Sequence, residues 1–172
     1  MESGREVFIV ESRLISAAQR GVDAFLEEIV GAIKETVGGE LNDVALKHLN
    51  GEQITLWGYY VLREELMDGG FVQLIYNGYG PFFFDNPFAK AMRLWGLKDF
   101  SKLLYKAKSF YDKYKNELTK PCSDDDFMGL FERFPEFDDL DDSFIEDEEY
   151  ITDCIAHYVD EHIDQFVTVK TV

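Results

Sequence analysis

The last 52 residues impose the strongest constraint on the fold, because they combine a dense negative charge with many large apolar side chains. Residues 121–172 contain 17 acidic residues and two basic residues, Arg133 and Lys170. A solvated acidic tail lacks aromatic residues. Here the carboxylates alternate with Phe127, Leu130, Phe131, Phe134, Phe137, Phe144, Tyr150, Ile151, Ile155, Tyr158, Ile163 and Phe166. We therefore expect a packed segment that carries an acidic face.

The charge is unevenly distributed along the chain. The formal net charge is −17, and residues 121–172 account for 2 − 17 = −15 of it. Residues 98–120 contain seven lysines and three acidic residues, a net charge of +4. The overall net charge of −17 disfavours direct binding to nucleic acid or to an anionic membrane and favours a basic protein partner.

Apolar residues at three- and four-residue spacing predict an all-α fold. With 172 residues and 46% hydrophobic residues, we predict one domain, a multi-helix orthogonal bundle over residues 1–172 whose C-terminal portion, 121–172, is strongly acidic. The only segment with a strand-like pattern is Val167-Thr168-Val169. The predicted helices cover 22–37, 41–49, 52–67, 71–76, 87–95, 99–118, a segment after Ser123 and a segment from Ser143 to about Phe166.

No catalytic or cofactor-binding motif is present, so we predict no enzymatic activity, no cofactor and no metal. A calcium loop that begins at Asp139 would place Phe144 where glycine is needed and Tyr150 where a bidentate glutamate is needed. Asp153, His157 and Glu161 share a helix face and offer metal-ligating side chains. We do not predict a metal site there, because charged residues at this four-residue spacing are common on surface helices.

Two unpaired cysteines, no apolar run of bilayer length and no leader-like N-terminus favour a cytoplasmic protein.

A more specific pattern occupies residues 65–80, which read Glu-Leu-Met-Asp-Gly-Gly-Phe-Val-Gln-Leu-Ile-Tyr-Asn-Gly-Tyr-Gly. This segment resembles the signature Glu-Val-x-Asn-Gly-Gly-Phe-x-Gln-Phe-x-x-Asn-x-x-Gly of a bacterial family of uncharacterised domains that includes a DNA-mimic protein. Asp68 replaces the usual asparagine and Leu74 replaces an aromatic residue. The residues that carry the resemblance are Asp68, Gly69, Gly70, Phe71, Gln73, Asn77 and Gly80.

The resemblance implies an all-helical homodimer that presents carboxylates as duplex DNA presents phosphates. In a structural interpretation of the motif, Gly69 and Gly70 permit a tight turn, Phe71 fills the core, and Gln73 and Asn77 bond free backbone groups at helix ends. The alternative is a ligand pocket around Gln73, Asn77 and Tyr79.

We therefore hypothesise an acidic protein-binding module, a DNA mimic that sequesters a basic DNA-binding protein such as a helix-turn-helix transcription factor or a nuclease. The alternatives are an immunity or adaptor protein that neutralises a basic toxin or nuclease and, least favoured, an enzyme that uses Glu64, Gln73 and Asn77. The predicted partner-binding residues are Asp124, Asp125, Asp126, Asp138, Asp139, Asp141, Asp142, Glu146, Asp147, Glu148 and Glu149. In a homodimer, the basic helix of residues 98–120 meets an acidic segment of the other subunit or packs within its own chain.

Overall fold

The computed structural model describes residues 5–171, and within them the protein is almost entirely helical, as the sequence predicts. A single two-stranded parallel sheet joins β1 (Phe8–Val10) to β2 (Thr168–Lys170), with Ile9 opposite Val169. The α-helices of these residues are α1 (Glu11–Gln19), α2 (Val22–Val37), α3 (Asp43–Leu46), α4 (Gly51–Asp68), α5 (Gly70–Tyr76), α6 (Gly80–Phe84), α7 (Phe88–Leu94), α8 (Lys98–Leu118), α9 (Asp124–Arg133) and α10 (Asp138–Glu161).

The backbone groups into two compact units. Among the described residues, unit 1 comprises 5–59 and 152–171, and unit 2 comprises 60–151. The organisation of the whole chain as one domain stays a prediction. No helix among residues 5–171 has both the length and the apolar character that a bilayer crossing requires.

Unit 1 is built around α2 and the start of α4. Leu26, Ile29 and Ile33 are fully buried on the predicted face of α2, which ends at Gly38 in the left-handed conformation that glycine adopts without strain. Asn50 and Gln53 begin α4 with a reciprocal capping box, because each side chain accepts a hydrogen bond from the other residue's backbone N–H at 2.8–3.0 Å.

Unit 2 packs around Phe71, whose ring lies 6.4 Å from that of Phe84 and 6.2 Å from that of Phe137. Gly80 lets α6 approach the ring of Tyr111 in α8 more closely than a Cβ atom would allow. The long helix α8 matches its predicted extent, and Phe100, Leu104 and Ala107 are buried on its inner face.

The last long helix differs from the prediction at both ends. It begins at Asp138 rather than at Ser143, and it ends at Glu161 rather than near Phe166. Its first turns are held by the buried side chains of Phe137, Leu140 and Phe144, which continue the three-four spacing toward the N-terminus. The Ser143-x-x-Glu146 pattern predicts a capping box at Ser143. Ser143 instead lies inside the helix, so this prediction is wrong.

Two other local predictions are also wrong. The Asn86-Pro87 pair predicts a helix cap at Asn86. Asn86 does not cap α7, because its side-chain amide donates to the carbonyl of Pro81 at 3.1 Å and Pro87 occupies the cap position. The spacing of apolar residues in 41–49 predicts that Val44 of α3 points inward, but Val44 is 66% exposed. Both short helices lack the repeated turns that make periodicity reliable.

We expect Gly70→Ala to destabilise the protein more than Gly78→Ala. Both residues have a positive φ, +77° and +92°, so both substitutions incur the left-handed penalty of about 1–2 kcal/mol. A Cβ atom on Gly70 would also collide with the Asp141 carboxyl group, whereas one on Gly78 would meet nothing within 4 Å. Urea unfolding of both variants measures the difference. Equal losses of stability would show that the Asp141 contact does not constrain position 70.

Candidate functional site

The acidic residues at the start of α9 occupy its first turn. The Ser123-x-x-Asp126 pattern predicts a helix cap at Ser123. The prediction is confirmed, since the Ser123 hydroxyl accepts from the Asp126 backbone N–H at 3.2 Å. Asp124, Asp125 and Asp126 are all exposed. Negative charge near a helix N-terminus is favourable, so these three carboxylates help to stabilise α9.

A stripe of exposed carboxylates runs along α10. Asp138, Asp142, Glu146 and Glu149 are spaced by four, four and three residues, so they fall within an arc of roughly 80° of the helix and advance about 16.5 Å along its axis. Asp139 and Asp147, also exposed, widen this face on one side. Within residues 5–171, none of the six forms an ion pair. We call these six residues the acidic face.

Glu148 differs from its neighbours because it points into unit 2. Only 7% of the residue is exposed, and its Oε1 lies 2.6 Å from Nε of Arg63 in α4. A carboxylate that is buried beside a guanidinium is compensated within its own chain. Glu148 therefore ties α10 to α4 rather than adding to the exposed charge.

Asp141 also points inward, where it caps the family motif. Its Oδ1 accepts the backbone N–H of Phe71 at 2.9 Å, one of the first-turn donors that α5 cannot satisfy internally. Burial raises the pKa of the Asp141 carboxyl to about 7; the Phe71 hydrogen bond opposes this shift, and the charges of Asp138 and Asp142 add to it.

The polar residues of the motif bond carboxylates rather than backbone groups, so their predicted partners are wrong. The Gln73 side-chain amide donates to Glu65 Oε2 at 2.9 Å and to Asp68 Oδ2 at 3.0 Å. The Asn77 amide donates to the same Glu65 oxygen at 3.0 Å. Gly69 leaves room for the Gln73 side chain, which a Cβ atom would overlap. These contacts join the end of α4 to α5 and favour the structural interpretation of the motif over a pocket.

Sequence reasoning missed Glu65 and Arg63. Glu65 had a signal, because it is the first residue of the signature at 65–80. Arg63 had none, since its partner lies 85 positions away. Glu64, the residue that the enzyme hypothesis needed, is exposed and outside this hydrogen-bond network.

Among the described residues, no three or more His, Cys, Asp or Glu side chains form a group that could hold a metal ion. Cys122 and Cys154 are free thiols, and the Cys122 Sγ lies 3.7 Å from the Tyr76 hydroxyl.

We expect Asp141 to make stability depend on pH near neutrality. Its pKa is about 7 when folded and 3.8 at its ordinary value, so the folded state holds the proton more tightly. This contribution is fully present below pH 4 and is lost as the pH rises through 7. Asp141→Asn keeps an acceptor for Phe71 and should flatten the fall in stability between about pH 4.5 and 7.5, as measured by urea unfolding.

Two further variants complete this test. Asp142→Asn removes a nearby exposed charge and should leave most of the pH dependence in place. Asp141→Ala leaves the Phe71 N–H without its acceptor and should be roughly 1–3 kcal/mol less stable than Asp141→Asn at every pH, because neither replacement side chain titrates. If Asp141→Asn and the parent lose stability in parallel, Asp141 does not titrate in this range.

Comparison with known proteins agrees with these features. Residues 47–162, which include both the motif and the acidic face, match the model of the DMP19-like protein family. The chain is also 32% identical over 152 residues to the DNA mimic protein DMP19 of Neisseria meningitidis serogroup B, a match that covers 88% of this chain and 92% of that protein. The chain therefore belongs to the DMP19-like protein family.

Proposed function

We propose that this protein is a DNA mimic whose acidic face, together with the first turn of α9, binds the DNA-binding surface of a basic protein. The observation that carries the proposal is the acidic face itself: six exposed carboxylates that lack ion-pair partners within residues 5–171. The complete set of exposed candidates is Asp124, Asp125, Asp126, Asp138, Asp139, Asp142, Glu146, Asp147 and Glu149. Asp141 and Glu148 act indirectly, by holding α10 in place.

The charge density of the stripe supports mimicry of one DNA strand. A strand of B-DNA carries one phosphate per 3.4 Å of axis, or about five over 16.5 Å. Asp138, Asp142, Glu146 and Glu149 place four carboxylates in that length on one helix. A basic surface shaped for phosphates therefore meets a similar number of negative charges over a similar distance.

The family relationship supports the same proposal, because the matched relative is itself named a DNA mimic protein. We extend this role to the present chain as a non-enzymatic homodimer. The partner we propose is a DNA-binding protein such as a helix-turn-helix transcription factor. A basic nuclease toxin, which also binds DNA, would engage the same carboxylates. Competition by duplex DNA distinguishes partners of either kind, which bind through a DNA-binding surface, from proteins that bind through another basic surface.

We expect neutralisation of the acidic face to weaken capture of the partner without unfolding the protein. The variant Asp142→Asn, Glu146→Gln, Asp147→Asn, Glu149→Gln leaves the caps and the Glu148 ion pair intact. Exposed ion pairs contribute about 0.2–1 kcal/mol each, so loss of four pairs should lower the affinity at least about fourfold. The measurement is capture of host proteins on the immobilised chain, followed by binding titrations of each captured protein in rising salt.

The matched control is Glu27→Gln, Glu35→Gln, Glu40→Gln, Asp164→Asn, which removes the same charge from exposed positions of unit 1. It should bind the partner as the parent does, and duplex DNA should displace the partner from both proteins. Two outcomes contradict the proposal: equal loss of binding in both variants, which indicates a response to net charge alone, and a captured partner that duplex DNA does not displace.

A further inference from the structure

A small cavity opens in unit 1 between the corner that joins α1 to α2 and the second half of α10. Its volume is about 210 Å³, and its lining residues are Ala18, Gly21, Val22, Phe25, Asp153, Ala156, His157 and Asp160. All eight belong to unit 1. Clefts that hold drug-sized ligands measure about 300–1,000 Å³, so this cavity has room for a single side chain rather than for a larger molecule.

The wall of the cavity on the side of α2 is apolar. Phe25 is 8% exposed, and Val22 is one of the large hydrophobic residues that keep contact with solvent, at 36% exposed. Ala156 adds a buried methyl group from α10. A Cβ atom on Gly21 would meet nothing within 4 Å, so the space beside the corner is open. An occupant with an apolar stem would remove this surface from water, which is favourable.

The rim of the cavity is negatively charged. Asp153 and Asp160 lie about one helical turn before and after Ala156 and His157, and both are exposed. In the part of the chain that the structure describes, neither carboxylate forms an ion pair. None of the eight lining residues is a lysine or an arginine. The two negative charges are therefore available to a bound cation.

These features select a cation that has an apolar stem. The two carboxylates repel anionic ligands. They do not form a metal site with His157, since no group of three or more His, Cys, Asp or Glu side chains within residues 5–171 could hold a metal ion. A long basic side chain fits, because its methylene groups bury against apolar surface while its charged end stays near solvent. Arginine suits the cavity better than lysine, because a guanidinium is less strongly hydrated and stacks on aromatic rings such as that of Phe25.

We propose that this cavity binds an arginine side chain of the basic protein partner. The methylene groups would pack against Phe25, Val22 and Ala156, and the guanidinium would lie between Asp153 and Asp160, with a carboxylate on either side. The source of the arginine rests on the proposed function, because proteins that bind DNA contact its phosphates with arginine and lysine.

The cavity would add selectivity to the attraction that the acidic face provides. Exposed carboxylates increase the rate of encounter with any basic surface. A cavity of limited size accepts a side chain only where the partner's arginine is correctly placed, and arginines that fill pockets are frequent hot spots of protein interfaces. Partners with similar net charge would therefore differ in affinity for this chain.

Capped arginine tests the cavity without any partner protein. The probe is N-acetyl-arginine amide, which carries the side chain and one positive charge, titrated into the isotope-labelled parent at about 0.15 M salt to screen distant charges. Changes in backbone NMR shifts should concentrate at Gly21, Val22 and Ala156. Capped norleucine, which lacks the charge, and capped lysine, which lacks the planar guanidinium, should both bind more weakly.

Two variants separate the space in the cavity from its charge. Ala18→Leu fills the opening and keeps both carboxylates, so it should abolish the localised shift changes. Asp153→Asn/Asp160→Asn keeps the space and should raise the Kd of capped arginine at least about twofold, as expected for the loss of two exposed ion pairs.

Matched controls make the same kinds of change at exposed positions of unit 1 that do not line the cavity. Ser16→Leu adds a leucine to α1, and Glu40→Gln/Asp164→Asn removes two negative charges. Both should bind capped arginine as the parent does. With a partner that the acidic face captures, Ala18→Leu should weaken binding although it retains every carboxylate, and Ser16→Leu should not.

Several results would overturn the proposal. Capped arginine might give no localised shift changes, capped norleucine or capped lysine might bind as tightly, or Ala18→Leu might bind the probe as Ser16→Leu does. Equal binding of the captured partner to the two leucine variants would also contradict it. The proposed function fails separately, when neutralisation of the acidic face or competition by duplex DNA has no effect on the partner, and that failure leaves the capped-arginine results unchanged.

Discussion

The hydrogen bond from the Phe71 backbone N–H to the Asp141 carboxyl group links the family motif to the acidic helix. Gly70 makes it possible, because the carboxyl group occupies the space that a Cβ atom would fill. Phe71 is then held between Phe84 and Phe137, at the centre of unit 2. The position of α10 in unit 2, and with it the direction in which its exposed carboxylates point, depends on this contact.

The crowded acidic segment is tolerated because its carboxylates have different environments. Glu148 is neutralised by Arg63, and Asp141 holds a proton up to a pH of about 7. Asp138 and Asp139 lie in the first turn of α10, where negative charge is favourable. These compensations are lacking at four exposed residues, Asp142, Glu146, Asp147 and Glu149. Their mutual repulsion persists in the free protein, and a bound basic protein would relieve it.

A helix with evenly spaced carboxylates attracts a surface that offers positive charge at the same interval. The DNA-binding surface of the proposed partner offers such charge, because it binds the regularly spaced phosphates of duplex DNA.

The sequence by itself determined the all-α class, the acidic and basic segments, and the features that short-range physics controls. The left-handed glycine at the end of α2, the Ser123 cap and the amphipathic length of α8 each depend on residues within a few positions of one another. The tertiary structure decided where α10 begins, which carboxylates remain exposed, and the parallel pairing of β1 with β2. Those outcomes depend on contacts between distant residues, 70 positions apart for Phe71 and Asp141 and 85 for Arg63 and Glu148. Periodicity along a chain specifies which side chains share a helix face, but only packing decides which of them lose contact with water.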